Sequence, residues 1–114
     1  MRVQYLEIVT TEVDATCAGL EKMHGVSFGE PNPGFGNART AEFEGGGRIG
    51  VRAPLAEHEE PVVRPYTLVD DIESALKAAE AVGAAIAMPS TEIPGDGHFA
   101  VYILGGIQHG LWQL

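Results

Sequence analysis

Acidic, basic and aromatic residues alternate with apolar residues along several short segments of this chain. From Val3 to Val9, Tyr5 and Glu7 fall on one side of an extended strand, while Leu6 and Ile8 fall on the other. A sheet face that collects such polar and aromatic groups suits a small polar molecule with a flat or apolar part. The same alternation predicts these residues on that face: Tyr5, Glu7, Thr40, Glu42, Arg48, Arg52, Arg64, Tyr66, His98, Tyr102, Gln108 and Trp112.

The opposite face should pack against helices, because its residues are mostly apolar. We predict the following residues there: Leu6, Ile8, Ala41, Phe43, Ile49, Val51, Phe99, Val101, Ile103 and Leu111.

The polar face supplies candidates for both catalysis and binding. Glu7 and His98 are the candidate catalytic residues, since either side chain serves as a general base when it is suitably desolvated. Arg52 and Arg64 are candidate binding residues for an anionic group. The aromatic candidates for ligand binding are Tyr5, Tyr66, Tyr102 and Trp112.

Each candidate also has a purely structural interpretation. Glu7 is able to form a cross-strand ion pair with either arginine, and Trp112 is able to act in ordinary packing. His98 follows the turn-forming segment Pro94-Gly95-Asp96-Gly97, which fits an exposed position at the start of a strand. The sequence alone leaves both interpretations open.

Length, composition and charge restrict the class of protein. The chain has 114 residues, of which 45% are hydrophobic, and this predicts one compact domain. A formal net charge of −9 argues against nucleic acid or an anionic membrane as partner, since both are polyanions. The sequence has no apolar run of membrane-spanning length, no signal-peptide pattern after Met1, and Cys17 as its single cysteine. We therefore expect a cytoplasmic protein.

A supersecondary unit occurs twice along the chain. Thr11-Glu12-Val13-Asp14 opens one amphipathic stretch, and Asp70-Asp71-Ile72-Glu73 opens another. Gly46 to Val51 is repeated as Gly106 to Leu111, and the distance along the chain between these two segments is nearly the same as that between the two amphipathic stretches. This constant distance indicates duplication. Within the single domain 1–114, the repeats are expected at about 1–53 and 62–114, joined by an acidic linker at about 54–61.

Each repeat is predicted to have the order βαβββ, which gives an α+β fold. In the first repeat, the strands are expected at Val3 to Val9, near Ser27-Phe28, at Ala38 to Phe43 and at Arg48 to Arg52, with a helix ending at Gly25. In the second, they are expected at Arg64 to Val69, Ala85 to Met88, His98 to Leu104 and Gln108 to Gln113, with a helix capped by Asp70 or Asp71 and ending near Gly83.

Three segments resemble the vicinal oxygen chelate superfamily of glyoxalase I, bleomycin-resistance proteins and extradiol dioxygenases. They are Tyr5 to Asp14, Tyr66 to Ala75, and Gly97 to Gln113, although the superfamily's usual Asp-Pro-Glu-Gly turn is replaced here by Leu104-Gly105-Gly106. The resemblance implies two βαβββ repeats that form a cup-shaped, curved mixed sheet with the helices on the outside. It also implies a small-molecule ligand and pairing into a homodimer, and the arginines and aromatic residues of the polar face favour a ligand that is anionic and aromatic.

In that superfamily, metal ligands come from the first and last strands of each repeat. The matching positions in this sequence hold Tyr5, Gly50, Arg64 and Gly110. Glycine has no side chain, arginine carries a fixed positive charge, and tyrosine binds a metal only as its phenolate. We therefore expect no family metal and no other cofactor.

Three classes of function remain open. The preferred one is a metal-free small-molecule-binding protein of the glyoxalase/bleomycin-resistance type. The second is a metal-free isomerase or lyase that uses Glu7 or His98 as general base. The third is a metal-dependent lyase or dioxygenase, which the four positions above disfavour.

Overall fold

The computed structural model describes all 114 residues as seven strands, two α-helices and one short 3₁₀ turn. The strands form one open mixed sheet in the order β2-β3-β1-β4-β7-β6-β5, which confirms the α+β class. Neither α-helix has the length and apolar character needed to span a membrane. The elements are β1 Val3–Val9, α1 Val13–His24, the 3₁₀ turn Pro33–Phe35, β2 Arg39–Phe43, β3 Gly47–Arg52, β4 Val62–Leu68, α2 Ile72–Ala81, β5 Ala85–Ile93, β6 Gly97–Leu104 and β7 Ile107–Gln113.

The chain divides into two compact units. We call Tyr5–Val63 the N-terminal unit, and Met1–Gln4 together with Arg64–Leu114 the C-terminal unit. The predicted linker, residues 54–61, lies within the N-terminal unit.

In the N-terminal unit, α1 covers one face of the strands. β1 runs parallel to β3, and β2 runs antiparallel to β3. Cys17 from α1 packs with Ala41 and Val51, and Ile8 and Ile49 pack against this cluster. These strand residues are among those predicted for the helix-packed face. The other face of these strands, which we call the helix-free face, therefore receives Tyr5, Glu7, Arg48, Gly50 and Arg52.

The strand expected near Ser27-Phe28 is absent, and this prediction was wrong. Phe28 instead packs into the core beside α1, and its backbone N–H donates to the Glu21 carboxylate at 2.9 Å. A side chain of the helix thus satisfies the backbone group that a strand neighbour would otherwise satisfy. The N-terminal unit is consequently βαββ.

In the C-terminal unit, α2 packs on strands β6 and β7. β4 runs parallel to β7, which pairs antiparallel with β6, and β6 pairs antiparallel with β5. Ile72 and Leu76 of α2 pack with Ala100 and Leu111. Asp71 caps the helix: hydrogen bonds from Ser74, and then from the Glu73 N–H, lower the pKa of its carboxyl group.

A tyrosine ring lies against a strand glycine in each unit. A Cβ atom added at Gly50 would collide with the Tyr5 hydroxyl, and one added at Gly110 would collide with the base of the Tyr66 ring. Both tyrosines are buried. Glycine is therefore required at positions 50 and 110, because a tyrosine ring approaches the backbone closely there.

Gly110→Ala should lower the free energy of unfolding by about 1–3 kcal/mol, because the root of the buried Tyr66 ring cannot rotate away from a new methyl group. Gly19→Ala is the matched control, since Gly19 lies in α1 with nothing within 4 Å of an added Cβ. The control should stabilise the protein by roughly 0.5–1 kcal/mol through helix propensity. Urea denaturation of both variants measures the difference, and equal effects would contradict the proposed packing.

Candidate functional site

A buried ion pair joins β1 to β3 on the helix-free face of the N-terminal unit. Arg52 and Glu7 are only 6% and 7% exposed. Arg52 Nε donates to Glu7 Oε2 at 2.9 Å. The structure therefore brings these two sequence-predicted residues together, as the ion-pair interpretation expected. The pair also places a carboxylate directly beside a fixed cation.

A second carboxylate completes the surroundings of Arg52. Its Nη1 and Nη2 atoms donate to Glu59 Oε1 and Oε2, each at 2.8 Å. The Leu55 N–H also donates to Glu59 Oε1, at 2.7 Å, and Arg52 Nη1 donates to the Ala53 carbonyl at 3.2 Å. Hydrogen bonds with Glu59, and then with Glu7, raise the pKa of Arg52 although burial opposes the charge. The guanidinium is thus permanently charged.

Glu59 was not among the predicted site residues. The acidic, proline-flanked composition of 54–61 indicated a solvated linker, and most of its residues are indeed exposed. One feature of the sequence could have indicated this contact: several acidic residues follow Arg52 within a few positions, within reach of its long side chain.

Tyr5 is buried beside a loop that also touches Arg52. Its ring meets Phe35 edge-on, with 5.2 Å between centroids, and Arg48 lies 5.4 Å from the Phe35 ring centre. The next residue, Gly36, has φ of 66°, and a Cβ there would lie 3.3 Å from Arg52 Cδ. The loop that contains the 3₁₀ turn Pro33–Phe35 therefore forms a wall of the Arg52 site, which the sequence did not indicate.

An aromatic cluster occupies the helix-free face of the C-terminal unit. Tyr66 contacts Trp112 and Phe99 edge-on, with centroids 5.9 Å and 6.2 Å apart. Trp112 Nε1 donates to the Asp96 carbonyl at 3.1 Å. Arg64 lies two residues before Tyr66 on β4 and is buried on the same face. Packing thus accounts for the burial of both predicted aromatic residues.

The prediction that His98 and Tyr102 share this polar face was wrong. Tyr102 packs against the α2 core cluster and stacks on His109 with ring centroids 5.1 Å apart. His98 pairs with Gln113, whose side-chain oxygen accepts the Ile72 N–H at the start of α2. Alternation along β6 therefore turns both residues toward the helix side.

The physical reason for this error is residue size on β6. Ala100 is fully buried beneath α2, and its small side chain allows the helix to approach the sheet. The larger Phe99 and Val101, which were assigned to the helix side because they are apolar, consequently lie on the other face. Both faces of β6 are partly apolar, so hydrophobicity did not distinguish them.

The residues at the superfamily's metal positions do not fit a metal site. Gly50 and Gly110 supply no donor atom, and the rings of Tyr5 and Tyr66 fill the space that a longer side chain would need. Arg64, at another of these positions, carries a positive charge. The structure contains no group of three or more His, Cys, Asp or Glu residues that could hold a metal ion.

The fold is similar to solved structures of other proteins. Methylmalonyl-CoA epimerase from Mycobacterium tuberculosis matches with a TM-score of 0.75 and 15% identity, over 97% of this chain and 86% of that one. A hypothetical protein from Bacillus halodurans C-125 matches with 0.75 and 14%, over 99% and 94%. A variant of methylmalonyl-CoA epimerase from Streptomyces coelicolor, in complex with 2-nitronate-propionyl-CoA, matches with 0.66 and 16%, over 99% and 96%.

Identities this low show a shared fold alone. The epimerases belong to the vicinal oxygen chelate fold superfamily, and the seven-stranded mixed sheet with two helices is consistent with that fold. No protein-family model matches the sequence, and no curated protein matches it.

Arg52→Gln should lower the free energy of unfolding by about 3–5 kcal/mol, because it removes the buried guanidinium that pairs with the Glu7 and Glu59 carboxylates. Arg39→Gln is the matched control: Arg39 pairs at 3.0 Å with the largely exposed Asp14, and its loss should lower the free energy of unfolding far less. Adding Glu7→Gln to Arg52→Gln should recover part of the loss. Urea denaturation measures all of these variants, and similar losses for the two arginines would contradict the argument.

Proposed function

We propose that this chain is a cytoplasmic small-molecule-binding protein of the glyoxalase/bleomycin-resistance type that works without the superfamily's metal. The supporting observation is that the buried charged residues Glu7, Arg52 and Arg64 all lie on helix-free faces of the strands. Apolar residues of similar volume are often at least as stabilising as buried charges. The retention of charge on this face therefore favours a role in recognition.

The chemistry of the face suggests what the ligand carries. A guanidinium group pairs with planar carboxylates through two parallel hydrogen bonds, and flat aromatic walls favour flat ligand groups. The methylmalonyl-CoA epimerases among the fold neighbours act on or bind coenzyme A esters by name, which supports a small organic ligand for this chain as well. We propose an anionic or aromatic small molecule, and neither nucleic acid nor a membrane, as the partner.

A metal-free isomerase or lyase is the second candidate. Its support is the 2.9 Å contact between Glu7 and Arg52, which sets a candidate base beside a cation able to stabilise a developing oxyanion. His98 lies on the helix side, so this alternative depends on Glu7. The neighbours' description as epimerases points in the same direction. A metal-dependent lyase or dioxygenase is disfavoured by the glycines at positions 50 and 110.

A screen for ligands tests the proposal. Small aromatic, carboxylate and phosphate metabolites should include compounds that raise the melting temperature, since a ligand of the native state alone stabilises it. Hits should bind at least about tenfold more weakly to Arg52→Lys or Arg64→Lys, because lysine lacks the planar guanidinium fork. Arg39→Lys, on the exposed pair with Asp14, is the control and should bind normally. Hits whose affinity is unchanged in all three variants would show that the ligand binds elsewhere on the protein.

Two further measurements separate the candidates. If a hit is also converted, Glu7→Gln should abolish turnover and spare binding only when Glu7 is the base. Metal analysis of protein purified without a histidine tag, followed by zinc, nickel and iron titration, should find no stoichiometric ion. A tightly bound ion would return the metal-dependent class to consideration.

We also propose that the chain forms a homodimer. Tyr66 and Trp112 give no support for pairing, because both are already buried within one chain. The remaining support is the exposed apolar tip of the β6–β7 hairpin at Ile103, Leu104 and Ile107. Sedimentation at micromolar concentration should therefore find a dimer that Ile107→Lys weakens. A monomeric wild-type protein would contradict the proposal.

A further inference from the structure

Within the N-terminal unit, the β3–β4 segment, residues 53–61, contacts Arg52 of β3 through one charged side chain. Leu55, Ala56, Glu57, His58 and Glu60 are exposed, whereas Glu59 is partly buried against Arg52. The segment therefore depends on the Glu59 carboxylate for its charged contact with Arg52.

The Glu59 carboxylate binds Arg52 in the way that the carboxylate of a free ligand would. Its two oxygens meet Nη1 and Nη2 at 2.8 Å each, which is the parallel, bidentate geometry that guanidinium groups form with carboxylate ligands. The Glu59 side chain is 22% exposed, while that of Arg52 is 7% exposed. Solvent thus reaches part of the Glu59 side chain, whereas the Arg52 side chain is almost fully buried.

We infer that Glu59 is an internal carboxylate that occupies the anion-binding position of Arg52, and that a small carboxylate ligand displaces it. The inference deepens the proposed function and rests on it: the ligand class is a small monocarboxylate, and the β3–β4 segment opens when the ligand binds. In the absence of ligand, the contact is autoinhibitory.

Displacement is required because every nitrogen of the guanidinium already has an acceptor. Nε donates to Glu7, Nη2 donates to Glu59, and Nη1 donates to Glu59 and the Ala53 carbonyl. Of the two carboxylates, Glu7 is held within a strand and is almost fully buried. Glu59 belongs to an exposed turn, so it is the carboxylate that leaves.

An internal competitor reduces the apparent affinity of the ligand. Because Glu59 is tethered close to Arg52, its effective concentration is high, and only the fraction of molecules with the segment open binds the ligand. Removal of the Glu59 carboxylate should therefore increase affinity for a carboxylate, which is the opposite of the usual effect of deleting a site residue.

Benzoate is a suitable probe because it combines one carboxylate with a flat ring, and benzamide is its uncharged counterpart. Isothermal titration should show that Glu59→Ala binds benzoate at least about tenfold more tightly than the wild type does. Glu57→Ala removes the same charge from an exposed position of the same segment and should leave the affinity unchanged. Benzamide should show no gain with any variant. Glu59→Gln, which keeps the shape, provides the same comparison if the alanine variant does not fold.

Hydrogen exchange of the wild type gives a second measurement. The Leu55 N–H donates to the Glu59 carboxylate, so displacement of that carboxylate removes its acceptor. Benzoate should therefore speed exchange at Leu55. The Gly29 N–H, which donates to the Thr40 carbonyl at 2.9 Å elsewhere in the same unit, should exchange at an unchanged rate.

The outcomes distinguish this inference from the proposed function. Equal benzoate affinity in the wild type and Glu59→Ala, or an equal gain in Glu57→Ala, would overturn the internal-competitor inference. The proposed function would still stand if other compounds bind through Arg52 or Arg64. Tighter binding by Glu59→Ala alone supports the inference even when the wild type binds weakly. No binding of benzoate or of any screened compound to any variant would overturn both.

Discussion

The N-terminal unit is organised around one buried guanidinium group. Arg52 ends β3, and its side chain reaches Glu7 on β1, Glu59 in the β3–β4 segment, and the loop at Gly36. Each partner comes from a different part of the chain, so their positions depend on a common charge. A buried cation requires such partners, because an unpaired charge in the interior is strongly destabilising. The need to pair the Arg52 charge therefore determines where Glu7 and Glu59 lie as well as the charge distribution around them.

In both units, a tyrosine ring packs against a strand glycine, but a different part of the ring makes the contact. In one, the hydroxyl end of Tyr5 lies over Gly50, and in the other the root of the Tyr66 ring lies against Gly110. The same strand pairing, β1 with β3 and β4 with β7, brings ring and glycine together in each case. In both units, a buried tyrosine ring therefore occupies the space that a side chain at the strand glycine would need.

The sequence predicted the elements well where local signals are strong. Gly25 ends α1 in the left-handed conformation, and Asp71 caps α2, as residue type and spacing indicated. It failed where a tertiary contact overrides the pattern, as at Phe28, whose N–H is satisfied by the Glu21 side chain. It also failed on β6, since only the approach of α2 over Ala100 decides which face is interior. Strand alternation was sufficient to place Glu7 and Arg52 on the same face of the sheet. It could not identify Glu59, because a turn has no periodic pattern that distinguishes a buried residue from an exposed one.

The position of Trp112, whose indole donates to the Asp96 carbonyl, has a spectroscopic consequence. Trp112 is the single tryptophan of the chain, and it is buried in the C-terminal unit beside Tyr66 and Phe99. Intrinsic fluorescence excited at the indole band therefore reports on that unit alone, whereas far-ultraviolet circular dichroism reports on both α1 and α2. Coincident denaturation transitions by the two signals would indicate that the two units unfold as one cooperative body, and separate transitions would indicate that they unfold independently.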